Sequence, residues 1–340
     1  MINLDKDAKI SIATSNLGQG NNLMFNSSQA LTIIGQGKLS AETSAAGSAG
    51  NIDFNTEILT IEGAQILAST SSSGDSGDIT VNASQGFTLG SNSKLSVETS
   101  ASGGPGNIKI TTQNLNVEEQ AEITATATET ATTSEQGGSI ELNASNMNLF
   151  GTVGIFAETQ GAVPAGTLTL KPNDNQTNLN INLTPGAEIS ASTSGSGQGG
   201  SLLVSAPEAI KISGLGKLAV ETSGIGAAGD IAFDAQSLTI QNGAQVSAST
   251  SGSGKGGSVG VNVNQLNLNN GAEISASTDG SGKGGSLALN ARDEINIGNS
   301  SQVLAETTGE GAAGDMALNT QRLNLEGGKV SASTSGSGKG

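Results

Sequence analysis

The chain has no cysteine, histidine, tryptophan or tyrosine, and only six phenylalanines among its 340 residues. Each absence excludes something. Without cysteine there is no disulfide and no thiolate ligand or nucleophile. Without histidine as well, the usual nucleophile–base pairs cannot be assembled. So little aromatic volume argues against a large globular core. Lysine and arginine total 14 against 30 acidic residues, giving a net charge of −16. The few cations do not cluster, so the electrostatic footprint of a nucleic-acid binder is missing. No apolar run approaches the ~20 residues of a membrane-spanning helix. Met1–Lys9 lacks the positive region and apolar core of a signal peptide.

What the chain has instead is glycine, 50 of them, and repetition. SASTSGSGKG stands at Ser247–Gly256 and again at Ser331–Gly340, with near copies at Ser190–Gly200 and Ser275–Gly285. Aligning all copies on the last residue of an Ala-Ser/Glu-Thr triplet gives twelve anchors: Thr14, Thr43, Thr70, Thr99, Ala127, Thr159, Thr193, Thr222, Thr250, Thr278, Thr307 and Thr334. Successive anchors are 27 to 34 residues apart, and most lie close to 28. A unit that cannot bury its apolar face alone buries it against the next copy, which is how solenoids are built.

Each pass carries three strand signals. The first ends on the anchor, as in Ile189-Ser190-Ala191-Ser192-Thr193, where Ile, Ala and Thr share one face and the serines the other. A loop follows, seven residues from anchor to a fixed glycine in nine of the ten passes that have both. Constant length implies stacked turns of one conformation, and positive φ is expected at that glycine. The exception, Ala127–Gly138, is four residues longer. A short polar residue comes next (Asn51, Asp78, Asn107, Asp230 and Asp315 among them) and should finish the turn through backbone hydrogen bonds.

The second strand often precedes an asparagine, at 26, 55, 82, 143, 262, 290 and 319, which predicts a partial Asn ladder. The third is read as one repeating triplet, at Leu31–Ile33, Leu59–Ile61, Phe87–Leu89, Leu115–Val117, Ile210–Ile212, Leu238–Ile240, Leu266–Leu268, Ile295–Ile297 and Leu323–Leu325. A Gly-Ala corner such as Gly186-Ala187 starts the next pass. The expected fold is therefore all-β: a single continuous parallel β-solenoid over residues 1–340, about 11 coils of about 28 residues, with three short strands per coil. At ~4.8 Å per coil it makes a rod roughly 50–55 Å long. Lys171–Asn178, with Pro172, reads as a surface insertion, and Glu122–Ser134 as a Thr-rich variant of strand and loop. No cap is visible at either end, which suggests a piece of a longer protein.

Candidate chemistry is sparse. Glu42, Glu98, Glu158, Glu221 and Glu306 share the outward place before the anchor, mostly on alternate coils. That spacing, roughly 10 Å, reads as a solvated face that avoids stacking like charges. Asp75 and Asp78 are the best local calcium ligands, but turn chemistry accounts for Asp78, Asp230 and Asp315 more simply. The anchor threonines are read as hydroxyls that satisfy backbone groups at the turn. An ice-binding face would need uniform outward Thr, and the outward residues are mixed. The two arginines, Arg292 and Arg322, lie far in sequence from any acidic cluster, and Lys255, Lys283 and Lys339 read as solubilising loop charges. No catalytic, cofactor-binding or metal-binding residue is assigned, and no enzymatic activity is expected.

The SASTSGSGKGGS-type units, and AETxGxGAAGD units as at Ala305–Asp315, resemble the repeat regions of filamentous-haemagglutinin-like exoproteins of two-partner secretion, especially the Gly/Ser-rich cyanobacterial type. The resemblance covers essentially the whole chain. It implies a right-handed β-helix, an extracellular or outer-membrane-associated cell-surface location, and adhesion to glycans or other cells. It also implies export through an outer-membrane transporter by way of a region not present here. The family's signal peptide and N-terminal secretion domain are not in this sequence, as an interior fragment would require. The alternative reading is a carbohydrate-active or carbohydrate-binding β-helix protein, and behind it an ice-binding solenoid. Smooth faces would favour a stalk, and a cleft with convergent carboxylates an enzyme.

Overall fold

The computed structural model describes residues 1–132 and 136–337. Part of the long Ala127–Gly138 loop, the end of the Glu122–Ser134 segment, and Lys339 therefore lie outside the described residues. The chain is a β-solenoid of about 11 turns, with no helix among the described residues. Every pairing between its strands is parallel, each strand bonding to its own copy one coil away. A broad sheet of 16 strands and a narrow sheet of 12 enclose the core.

The three short strands per coil become two in much of the chain. Second and third signals fuse into one bent strand at Ile52–Glu62, Ile79–Leu89, Ile108–Val117 and Ile140–Leu149, and again at Ser258–Asn269, Ser286–Gly298 and Met316–Glu326. The corner between them is turned by a bulge, with register shifts at Thr56/Ile58, Thr112/Asn114, Val263/Gln265 and Ala291/Glu294. A bulge bends a strand without ending it. The fusion fails in two coils where proline removes a ladder donor, and also, without proline, between Leu23–Asn26 and Ala30–Gly35 and between Asp230–Asp234 and Ser237–Gln241. Thr167–Lys171 and Asn178–Leu183 flank Pro172, and Ser201–Ser205 and Ala209–Gly214 flank Pro207. Within the insertion near 171–178, residues 174–177 form an exposed turn, and Pro172 is buried.

The third strand also differs from its sequence alignment. Leu115 stacks on Met147, Met147 on Ile181 and Ile181 on Ile212. Ile212 is thus the structural copy of Leu115, two residues away from the equivalence with Val117 read in the sequence. A two-residue shift keeps parity, so every apolar side chain still points inward.

Inside, Phe54, Phe87, Phe233 and the Ile, Leu, Val and Ala columns are fully or nearly fully buried. Phe25 and Phe54 stack with ring centroids 5.1 Å apart. Outside, the Asn ladder appears where expected at Asn26–Asn55–Asn82, with links of 3.0 Å, and at Asn290–Asn319. Others form one strand later. Asn148 donates to Asn116 at 3.0 Å and accepts from Asn182 at 2.8 Å. Asn148→Ala removes both links at a partly buried site and is expected to cost about 1 kcal/mol in chemical denaturation; an unchanged midpoint would show that the ladder contributes nothing.

The fixed glycines correct an expectation. None has positive φ; that conformation occurs at the corners, including Gly63, Gly186, Gly243 and Gly271. The loop glycines are required for a different reason. A Cβ on Gly77 would lie 1.9 Å from the carbonyl oxygen of Gly50, and one on Gly200 would lie 1.9 Å from that of Gly166. The stacked loops approach too closely for any side chain. The polar residue after each fixed glycine then joins successive coils: Asp78 N–H donates to Asn51 Oδ1 at 2.9 Å, and Asn107 N–H to Asp78 Oδ1 at 2.7 Å.

Candidate functional site

The narrow sheet changes character along the rod. Its first five strands have six residues each, from Lys9–Thr14 to Glu122–Ala127. From Gly154–Phe156 onward they have three, followed by a break at the anchor's preceding alanine and a lone bridge at the threonine. At the break the Ala191 carbonyl turns away from the ladder and accepts from Gly200 N–H of its own coil at 2.8 Å. Ala248 and Ala276 do the same toward Gly257 and Gly285. The outer face bends at each break, and stacked bends leave a groove of about 350 Å³. Glu158, Glu188, Ser192, Glu221, Ser249 and Asp279 line it.

Four of these are carboxylates, and the three glutamates are only partly anticipated by the sequence. Glu158 and Glu221 belong to the outward row before the anchor, as expected. Glu188 comes from another outward row, four residues earlier in its own coil. It sits one coil beyond Glu158 and raises its electrostatic cost. Burial is the larger influence: it lifts the Glu158 carboxyl to about 7, and only a hydrogen bond from Ser190 Oγ at 2.7 Å opposes this. Burial also raises Glu188, with Lys217 acting against it.

Of the other row members, Glu42, Glu221 and Glu306 have cations, while Lys94, four residues before Glu98, pairs instead with Glu122 at 3.3 Å. Glu42 is paired with Lys38 and with Lys9, the latter at 3.1 Å, and Glu306 with Lys329 at 2.8 Å. Glu221 is paired with Lys217. The signal was present in the sequence: lysine stands four residues before Glu42, Glu98 and Glu221, and Gly154 stands four before Glu158. The two outward serines are not both solvated either. Ser190 is fully buried beneath Glu158 and Ser192; its hydroxyl donates to Glu158 at 2.7 Å and lies 2.6 Å from Ser192 Oγ, from which it can accept.

The remaining candidates have local explanations. Asp75 accepts from Gly104 N–H at 2.8 Å, and Asp78 is tied to Asn107, so neither converges on a cation. No group of three or more acidic side chains able to hold a metal occurs among the described residues. Thr43 and Thr99 donate to loop carbonyls four residues on, at 2.6 and 2.8 Å, as expected of the anchors. In later coils Thr250 donates instead to the carbonyl of the preceding anchor, Thr222, at 3.1 Å. The Thr278 hydroxyl is buried without a partner, against that expectation. Stacking brings the arginines to carboxylates that are distant or adjacent in sequence: Arg322 to Glu294 at 3.1 Å and Arg292 to Asp293 at 3.0 Å. Lys283 lies 4.0 Å from Asp315.

No family model, curated protein or solved structure matches this chain. The groove's chemistry therefore has to be read from its own residues. It can concentrate cations and hold a proton near neutrality, and its serine hydroxyls can bond a polar ligand.

Proposed function

We propose that the chain is a rigid, acidic stalk segment that presents stacked Ser/Gly loops for adhesion at a cell surface or in the extracellular space. The observation that carries this reading is the unbroken parallel register. Each coil bonds to the next from the first strand pair to the last, across 27 pairings. Backbone ladders repeated in this way resist bending and give length per residue, which is what a spacer needs. The resemblance to two-partner-secretion exoproteins supports the surface location.

Small-angle scattering of the purified chain should report a rod roughly 50–55 Å long at ~4.8 Å per coil. Beads coated with it should retain whole cells above an albumin control. A compact scattering profile would sink the rod, and retention no better than albumin would sink adhesion.

A second reading has one specific observation behind it. A carboxyl that stays protonated near neutrality in a groove, with a second carboxylate on the same face, is the equipment of glycoside hydrolysis. Glu158 and Glu221 have that character in outline. The stalk reading expects no release of reducing sugar from pectin-like or related glycans. Turnover that disappears in Glu158→Gln would replace it with the enzyme.

A further inference from the structure

A different face carries a longer feature. Three cavities of about 450, 490 and 400 Å³ lie along the bulged corner of the broad sheet. They are contiguous: Asp234 lines the first and second, and Asn264 the second and third. The insertion loop, with Asn173 and Asp174, walls one end, and Asn319 five coils further along lines the other. The groove thus runs parallel to the solenoid axis.

Its lining is carboxamide-rich, and several of those carboxamides are free. Elsewhere on the broad sheet asparagines satisfy one another in ladders, and one such pair, Asn290–Asn319, lies in the lining itself. Here the side chains of Asn262, Asn264, Gln236 and Gln265 have no hydrogen-bond partner among the described residues. Of the two cations in its lining, Arg292 is held by Asp293 in two bonds of 3.0 and 3.2 Å and Lys171 by Glu141 at 2.8 Å. Asp234 and Asp174 are in no ion pair among the described residues, so the groove's uncompensated charge is negative.

We propose that this groove binds a neutral, extended polysaccharide chain laid along the solenoid axis. Carboxamides offer paired donors and acceptors that match sugar hydroxyls. Asn262, Asn290 and Asn319 stack in register one coil apart, at the ~4.8 Å coil spacing, close to the rise per residue of an extended, equatorially linked glycan. Unpaired carboxylates repel polyuronates and sulfated chains. With no tryptophan or tyrosine to stack on a ring face, affinity is roughly millimolar per site and rises with the number of coils engaged. This inference does not depend on the stalk reading, and it concerns a face remote from the Glu158 groove.

The test is calorimetric titration of the full chain with cellohexaose, a linear neutral β-1,4-glucan. Saturable binding insensitive to salt is expected, with maltohexaose, whose axial linkages curl the chain, and anionic alginate both weaker. The double variant Asn262→Ala/Asn264→Ala should bind about tenfold more weakly, with circular dichroism unchanged. Asn148→Ala, a ladder residue outside the groove, should bind like wild type. Four results would each overturn the proposal: no saturable heat with cellohexaose, undiminished binding by the double variant, alginate binding as tight as cellohexaose, or maltohexaose binding as tight.

Discussion

Replacing Gly229 by alanine should destabilise the middle of the rod by about 3 kcal/mol, the upper end of the usual overpacking cost. The new Cβ would lie 1.6 Å from the carbonyl oxygen of Gly200 and 2.7 Å from its carbon. Both are backbone atoms of the coil beneath. They cannot move aside as a flexible side chain can, so the coils must separate and the adjoining ladder bonds lengthen. Gly260 gives the contrast. A Cβ there meets only the Ile231 carbonyl oxygen, at 3.9 Å, an ordinary contact. Gly260 lies within the strand Ser258–Asn269, where glycine is unfavourable, so Gly260→Ala should be neutral or slightly stabilising. Because coils contact only their neighbours, the defect at 229 is expected to be local. Hydrogen exchange should speed up for amides of the coils on either side and remain slow at the far end. If Gly229→Ala denatures within about 0.5 kcal/mol of wild type, close loop stacking is not what requires the glycine.

That glycine column also shows how sequence and structure relate in this chain. Period, inward faces and loop length were legible because each recurs in most coils and accidents average out. The glycine itself was legible, but its reason was not. Left-handed backbone and close backbone approach both demand the smallest residue, and one sequence cannot separate them. The third-strand offset was hidden for a related reason: a slip of two residues leaves the apolar pattern unchanged. The fusion of second and third strands was half legible. Pro172 and Pro207 announce two of the places where it fails, but nothing local announces the others, between Asn26 and Ala30 and between Asp234 and Ser237, or a bulge at Thr56 or Val263. Glu188 was missed because the outward rows were taken one at a time. On a sheet a side chain also meets its diagonal neighbours on the next strand, and the groove is built from such neighbours. The carboxamide groove was invisible, since free and laddered asparagines look alike until the corner's shape is known.

The Glu158 groove leads to the second large effect, a stability that falls as pH rises. In the unfolded chain this carboxyl titrates near its ordinary value of 4.5, and in the folded chain near 7. Below the lower value both states are protonated and the residue contributes nothing to the difference between them. Between the two values the folded state holds a proton that the unfolded state has lost, so stability declines with increasing pH. Above 7 both are ionised and the cost is complete. A shift of this size corresponds to ~3 kcal/mol; solvent around a half-buried side chain reduces it to about 2 kcal/mol. Burial is the main cause, and Glu188, itself raised by burial, adds to it. Glu158→Gln keeps an acceptor for Ser190 and removes the charge. It should match wild type at pH below 4.5 and exceed it by about 2 kcal/mol at pH above 8, so the two stability curves diverge across neutrality. Glu42→Gln provides the opposite sign. Lys38 and Lys9 hold the Glu42 carboxyl below its ordinary value despite the burial that works against them. Its charged form therefore stabilises the fold, and the substitution should lower stability at neutral pH. Denaturation of both variants from acid to alkaline pH decides the matter. Parallel curves for wild type and Glu158→Gln would mean that the groove is wetter than its geometry indicates, and the proton-holding carboxyl on which the enzyme reading depends would be lost with it.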